Sequence, residues 1–189
     1  EWAKKRGWPP GEIEKREGMM QRDEEKRKRA DAIIDNAGTL TLVHATLAGN
    51  FASDSCTTMC NLPGGTITLI NSLIGPDTEA PARSALSGSF TSLGNNIVTD
   101  ARGTSGFTNG VNGDQVSDMN AIDPLLGPLS NNGGETDTLP LLTGSVAIDH
   151  GNNQSFMRYD QRYHGSARTI GAAPDIGAYE RRSGENVVV

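Results

Sequence analysis

Lysine is absent after residue 28, threonine is absent before residue 39, and aromatic side chains make up only 5% of the 189 residues. Hydrophobic residues reach just 35% while glycine fills 23 positions, which argues against a Leu-rich helical bundle in a chain long enough to bury a core. No apolar run approaches the ~18–20 residues of a membrane-spanning helix. Positive charge is also short: a formal charge of −6 and a pI near 5.0 argue against nucleic acid as a partner. Two cysteines are too few for the disulfide scaffold of a small secreted domain. The chain starts at Glu1, so the lack of a signal peptide carries no information about compartment. Chemical signatures are missing as well. There is no Gly-x-Ser-x-Gly elbow and no His-Glu-x-x-His pair, and His44, His150 and His164 are scattered.

What is present divides near residue 36. Residues 1–35 carry all five lysines and both tryptophans, with ten Lys/Arg against nine Asp/Glu. Residues 36–189 carry seven Arg against fourteen acids, and all 16 threonines. Two domains are therefore expected, 1–35 and 36–189. After the breaker Pro9-Pro10-Gly11, the run to Asn36 has no Pro, Thr or Val, which predicts an N-terminal α-helical segment. Glu12 and Glu14 in its first turn and Lys26 to Arg29 near its end suit the helix dipole. Its apolar residues are too few for independent burial, so the helix is expected to lean on something else.

The stretch "RGWPPGEIEKREGMMQRDEEKRKRADAIIDNAGTL", within residues 4–40, resembles the C-terminal end of dephospho-coenzyme A kinases. Lys26, Arg27, Ala30, Asp31, Ile34, Asp35 and Asn36 carry the likeness. Kinase chemistry needs a G-x-x-x-x-G-K-[ST] loop to hold ATP, and no such loop occurs here. Kinase activity is excluded for this chain.

From Asn36 onward the sequence repeats. "NAGTLTLVHATL" (36–47) is answered by "PGGTITLINSLI" (63–74) at an offset of 27, and a weaker third copy, "GSFTSL" (88–93), follows at an offset of 23. Thr alternates with Leu or Ile, the period-two pattern of strands with one buried face. Repeats of this length stack so that each unit covers its neighbour's apolar face. No helix-forming segment separates the copies, so the fold class expected is mainly β: a right-handed parallel β-helix, a solenoid of few coils, preceded by the helical segment and followed by a loop-rich C-terminal end. A β-sandwich is the competing architecture. Gly-Asn pairs supply the turns, and a stacked ladder of Asn50, Asn71 and Asn96 is conceivable. Cys56 and Cys60 lie four apart. They either close a small loop disulfide, the expectation for an exported protein, or remain free thiols; zinc would need two further ligands.

The last third contains five motifs in order: Asp123 to Leu129 (DPLLGPL), Asn132 to Gly134, Gly144 to Asp149 (GSVAID), Asp160 to Arg162, and Asp175 to Glu180 (DIGAYE). This ending resembles that of bacterial surface β-helix proteins called choice-of-anchor Q domain proteins, and with the upstream repeats the likeness covers residues 36–180. The resemblance implies a secreted or surface-displayed solenoid. Relatives usually carry more coils, and often an anchoring tail where this sequence ends in "RRSGENVVV".

Asp149, Asp160, Asp175 and Glu180 form an acidic set, with Arg162 and Arg168 as counterions. Such residues read as turn formers and salt-bridge partners closing the stack. The functional alternatives are a Ca²⁺ site of six to eight oxygens or a glycosidase carboxylate pair. No catalytic residue, metal ligand or cofactor is assigned. The function expected is a non-catalytic structural or adhesive module, extracellular or at the cell surface, with polysaccharide or cell-surface components as partners. Few aromatics (Tyr159, Tyr163 and Tyr179) remain to stack on sugar rings. Two alternatives stand beside this reading. One is a polysaccharide lyase or glycosidase, whose base would come from Arg83, Arg102, Arg158, Arg162, Arg168, Arg181 or Arg182. The other is a non-functional fusion of a dephospho-coenzyme A kinase tail to a β-helix fragment.

Overall fold

A computed structural model of the chain describes residues 38–50, 58–61, 63–76, 84–119, 121–153, 157–163 and 165–185. The chain divides into two compact units, Glu1–Asn36 and Ala37–Val189. The helix expected over 1–35 lies outside the described residues, and so do Cys56 and His164. Among the described residues the protein is mainly β, with ten short strands and no α-helix.

The strands are β1 (Thr39–Val43), β2 (Thr46–Leu47), β3 (Met59–Cys60), β4 (Thr66–Ile70), β5 (Leu73–Ile74), β6 (Leu86–Ser89), β7 (Thr91–Ser92), β8 (Ile97–Val98), β9 (Thr104–Ser105) and β10 (Gln115–Val116). They form three sheets, ordered β1-β4-β7, β10-β8-β5-β2 and β3-β6-β9. From β1 to β9 the chain therefore visits the sheets in strict rotation and returns each time beside its earlier strand. Every named strand pairing is parallel. The antiparallel layers of a β-sandwich are not present among these strands.

The sequence repeat is the register. Thr39 pairs with Thr66 and Val43 with Ile70, an offset of 27, and Thr68 pairs with Thr91, an offset of 23. The third copy corresponds only in part. Gly88 and Ser89 belong to β6, where they pair with Thr104 and Ser105 in a different sheet. The reason is that the second winding, from β4 to β7, is four residues shorter than the first, so the third copy spans two sheets.

Alternation sets the faces. Thr39, Thr41 and Thr66 are exposed, whereas Ile67 and Leu69 are buried. The inner side chains form one core: Ile67, Leu69, Ile74, Ala85, Leu86, Phe90 and Val98, flanked by Leu40, Leu42, Leu47, Met59, Phe107 and Val116. Each fully buried Leu, Ile or Phe contributes about 1.5–3 kcal/mol. Backbones approach closely around this core. At Gly106 (φ +101°) a Cβ would lie 1.8 Å from the Phe90 carbonyl oxygen, so only glycine fits there.

The corner between the first two sheets turns through a left-handed residue in each winding: His44 (φ 49°), Asn71 (51°) and Asn95 (54°). The next column is polar and buried. Ala45 N donates to Ser72 Oγ (3.2 Å), Ser72 N to Asn96 Oδ1 (3.0 Å) and Asn96 N to Asp114 Oδ1 (2.9 Å). Side-chain oxygens thus satisfy backbone donors that the bend removes from the sheet ladder. This corrects the expected ladder of Asn50, Asn71 and Asn96. Asn71 and Asn96 stand in adjacent columns, and Asn50 is an exposed turn residue in neither.

After β10 the described chain has no further strand, only isolated antiparallel bridges such as Leu126 with Leu141 and Tyr159 with Ala167. The loop-rich ending covers the outer face of the four-stranded sheet. Leu73 and Ile97 pack there against Leu141, Ala147, Ile176 and Tyr179.

Replacing Asn96 by Ala would leave the buried Ser72 N–H without its acceptor. We expect a loss of about 1–3 kcal/mol, read as a lower urea midpoint at unchanged slope. Thr41→Ala on the exposed face should stay within ~0.5 kcal/mol.

Candidate functional site

The C-terminal segment is docked by main-chain bonds before any charge is considered. Gly177 N donates to the Asn71 carbonyl (2.8 Å), Ala178 N to Thr46 Oγ1 (2.9 Å) and Ile176 N to the Ala147 carbonyl (2.9 Å). Gly177 has φ +101°, and a Cβ there would come within 2.5 Å of Thr46 Oγ1. Asn71 clasps a second segment: its Oδ1 accepts from Asn152 N and its Nδ2 donates to the Asn152 carbonyl, both at 2.8 Å. The Gly in DIGAYE is therefore required by close approach.

Three members of the acidic set meet in this docked segment. Asp160 accepts from its neighbour Arg162 through Nε (2.9 Å) and Nη2 (2.7 Å), and also from the Glu180 backbone N–H (3.0 Å). Glu180 accepts from Ile170 N and Asp175 N, each at 2.8 Å, and from Arg168 Nη2 at 3.0 Å. Asp175 accepts from Asp149 N (2.8 Å) and Arg181 N (2.6 Å). Asp160, Asp175, Glu180, Arg162 and Arg168 are all at most 3% exposed. Burial pushes the carboxyls of Asp175 and Glu180 upward, against the pull of the N–H groups that face them. Asp149 stands apart: it is exposed, and its Oδ1 accepts from Ala173 N.

These carboxylates bind backbone amides and guanidinium groups, an arrangement that fixes loops. Tyr179 belongs to the same lock. Its ring lies under the Arg162 guanidinium at 3.8 Å, and its hydroxyl donates to Glu185 (2.6 Å). Tyr179 is thus unavailable as a sugar platform. Among the described residues no group of three or more His, Cys, Asp or Glu could hold a metal ion. Cys60 is disulfide-bonded, and Cys56 lies outside the described residues.

Beside this lock lies a cleft of about 670 Å³, bounded by His44, Ala45 and Thr46 on one side and residues 157–161 with Tyr163 on another, with Arg168 and Ala178 completing it. Asp160, already paired with Arg162, is the one carboxylate lining it among the described residues. Tyr159 and Tyr163 are 41% and 56% exposed, with ring centroids 5.4 Å apart and planes tilted by 52°. Sequence spacing could not assemble this cleft, because His44 and residues 157–163 meet only through the docking at Asn71 and Thr46. The recognisable signals were the paired tyrosines and the polar His at a corner.

His44 is buried, and its pKa falls from 6.5 to about 4, first by desolvation and then by the Arg168 charge, against a hydrogen bond with the Asp175 backbone. The contact with Asn71 agrees: Asn71 Nδ2 can only donate to His44 Nε2 (3.1 Å), which accepts only in the neutral ring.

Compared with protein-family models, with curated proteins and with solved structures, the chain matches none. The fold and the chemistry of the cleft carry the functional argument.

Two measurements test this description. Glu180→Gln weakens a buried ion pair and should cost about 3–5 kcal/mol in denaturation experiments, whereas Glu135→Gln on the surface should cost less than ~0.5 kcal/mol. For His44 the unfolded state takes up a proton near pH 6.5 and the folded state only near 4, so stability falls as pH is lowered through that window. Between pH 7 and 5 the loss should be about 2 kcal/mol, and His44→Asn, which tolerates the left-handed backbone, should remove it.

Proposed function

We propose that residues 36–189 form a right-handed parallel β-helix of few coils, similar to choice-of-anchor Q domain proteins, and that it serves as a non-catalytic structural or adhesive module outside the cell or at its surface. The rotation of the chain through three parallel sheets supports the solenoid, with each sheet as one face of the winding. Right-handedness is what parallel crossover connections adopt. Extracellular polysaccharide or other surface components are the partners this reading implies.

The observation that carries the non-catalytic reading is the engagement of the acidic residues. Asp160, Asp175 and Glu180 each accept two or more bonds from amides or guanidinium groups, and Asp175 and Glu180 do not line the cleft. A glycosidase needs two carboxyls across a sugar-sized gap, and a Ca²⁺ site six to eight oxygens; Asp160 alone supplies neither.

The test is direct. The full chain, incubated with pectin and alginate with and without Ca²⁺, should release no unsaturated products by absorbance, and should be retained on isolated cell-wall material. Sustained turnover abolished by EDTA would overturn the reading in favour of a lyase.

A further inference from the structure

The lining of the cleft is chemically uneven. Of its three charged lining residues two are already compensated: Asp160 faces Arg162, and Arg168 faces Glu180. Arg158, also in the lining, has no ion pair among the described residues and is exposed. Next to it stand Tyr159 and Tyr163, whose tilted rings offer apolar faces to solvent. Gln161 uses its Nε2 on Thr136 Oγ1 (3.0 Å), which leaves its carbonyl oxygen to accept. Polar groups therefore alternate with aromatic faces. A sugar presents the complement, a rim of hydroxyls around C–H faces, and tyrosine suits it by joining a ring face to a polar tip.

We propose that this cleft binds a uronate-bearing polysaccharide, with sugar rings on Tyr159 and Tyr163, a ring carboxylate on Arg158, and a sugar hydroxyl donating to Gln161. The inference rests on the reading of the chain as a non-catalytic adhesive module and names its partner. The sign of the ligand follows from Arg158: with Asp160 and Arg168 matched, it is the one cation without an ion pair among the described lining residues, and a guanidinium takes a carboxylate in two parallel hydrogen bonds. The volume of about 670 Å³ falls in the ~300–1,000 Å³ of pockets that enclose small ligands, room for a short stretch of glycan.

The experiment uses the full chain with de-esterified polygalacturonate and with alginate, methyl-esterified pectin and a neutral galactan as comparisons, read by affinity electrophoresis and calorimetry. Binding to at least one of the two acidic polymers is expected, and esterification should weaken binding to polygalacturonate. Arg158→Gln should reduce affinity at least tenfold, since a charge-assisted pair is lost. Tyr159→Ala with Tyr163→Ala should abolish binding while the melting temperature stays close to that of the parent, both rings being exposed. Binding to neither acidic polymer, equal affinity for the esterified or neutral polymer, or affinity unchanged in either variant overturns the proposal. Retention on isolated cell-wall material by a chain that ignores both uronates would overturn this ligand and leave the adhesive reading standing; turnover of either polymer would overturn that reading itself.

Discussion

The bend between the first and second sheets is the constraint on which the molecule depends. Each winding must turn there without breaking the parallel pairing above and below it. It does so with a left-handed residue, His44, Asn71 or Asn95, and after Asn71 and Asn95 come Ser72 and Asn96, whose side-chain oxygens take the backbone donor of the preceding winding. Asn and His accept this backbone region more readily than branched residues. Because the bend recurs at the same place, Leu47, Ile74, Val98 and Val116 fall into one internal column. A slip of one residue would send that column outward and bring Thr46, Leu73, Ile97 and Gln115 inside. The buried polar column at the corner makes such a slip costly, since it would leave amides and side-chain oxygens unmatched together.

The same corner positions the C-terminal segment. Asn71 contributes its carbonyl to Gly177 and its side chain to Asn152, so one left-handed residue joins the windings to two separate stretches of the covering layer. Leu73 and Ile97 point outward from the four-stranded sheet and would be an exposed apolar patch without that cover. The ion network then holds the cover in shape. Buried pairs add little stability over apolar packing, and they specify geometry only when every lone pair and proton has a partner. Asp160, Asp175 and Glu180 each accept from backbone amides of this segment, which is why a segment with almost no strand keeps a defined path.

How much of this was readable in the sequence follows from how local each feature is. The 27-residue offset was visible because Thr-Leu-Thr-Leu and Thr-Ile-Thr-Leu occupy one sheet in successive windings, and like residues on like faces leave a repeat. The third copy was only half visible, because shortening the winding moved Gly88 and Ser89 into another sheet while Thr91 and Ser92 kept their place. Asn71 and Asn96 were recognised as turn residues but set one above the other, although the two columns they occupy differ by one position along the bend. The acidic motifs were recognised as ion-pair and turn residues. Their partners were not, since a carboxylate that accepts from the backbone leaves no mark on the residue that donates. Of the cleft only Tyr159, Tyr163 and His44 stood out, and nothing local brings them together.

The lock and the cleft share Asp160 and Arg168, and this bears on what the cleft is suited to do. Asp160 ties residues 160–162 to the Glu180 backbone, while Arg168 carries its charge to Glu180 and donates to the Gly177 carbonyl. The wall beneath Tyr159 and Tyr163 is therefore fixed by bonds that a ligand does not have to form. Ordering side chains on binding costs ~0.5–1.5 kcal/mol for each flexible one, so a wall already ordered by folding favours association without enlarging the contact. A catalytic cleft would hold its charges ready to change protonation or to grip a reacting group. Here Asp160 and Arg168 are engaged in building the wall, and among the described lining residues Met157, Arg158, Tyr159, Gln161 and Tyr163 face outward, the surface that the proposed adhesive role would use.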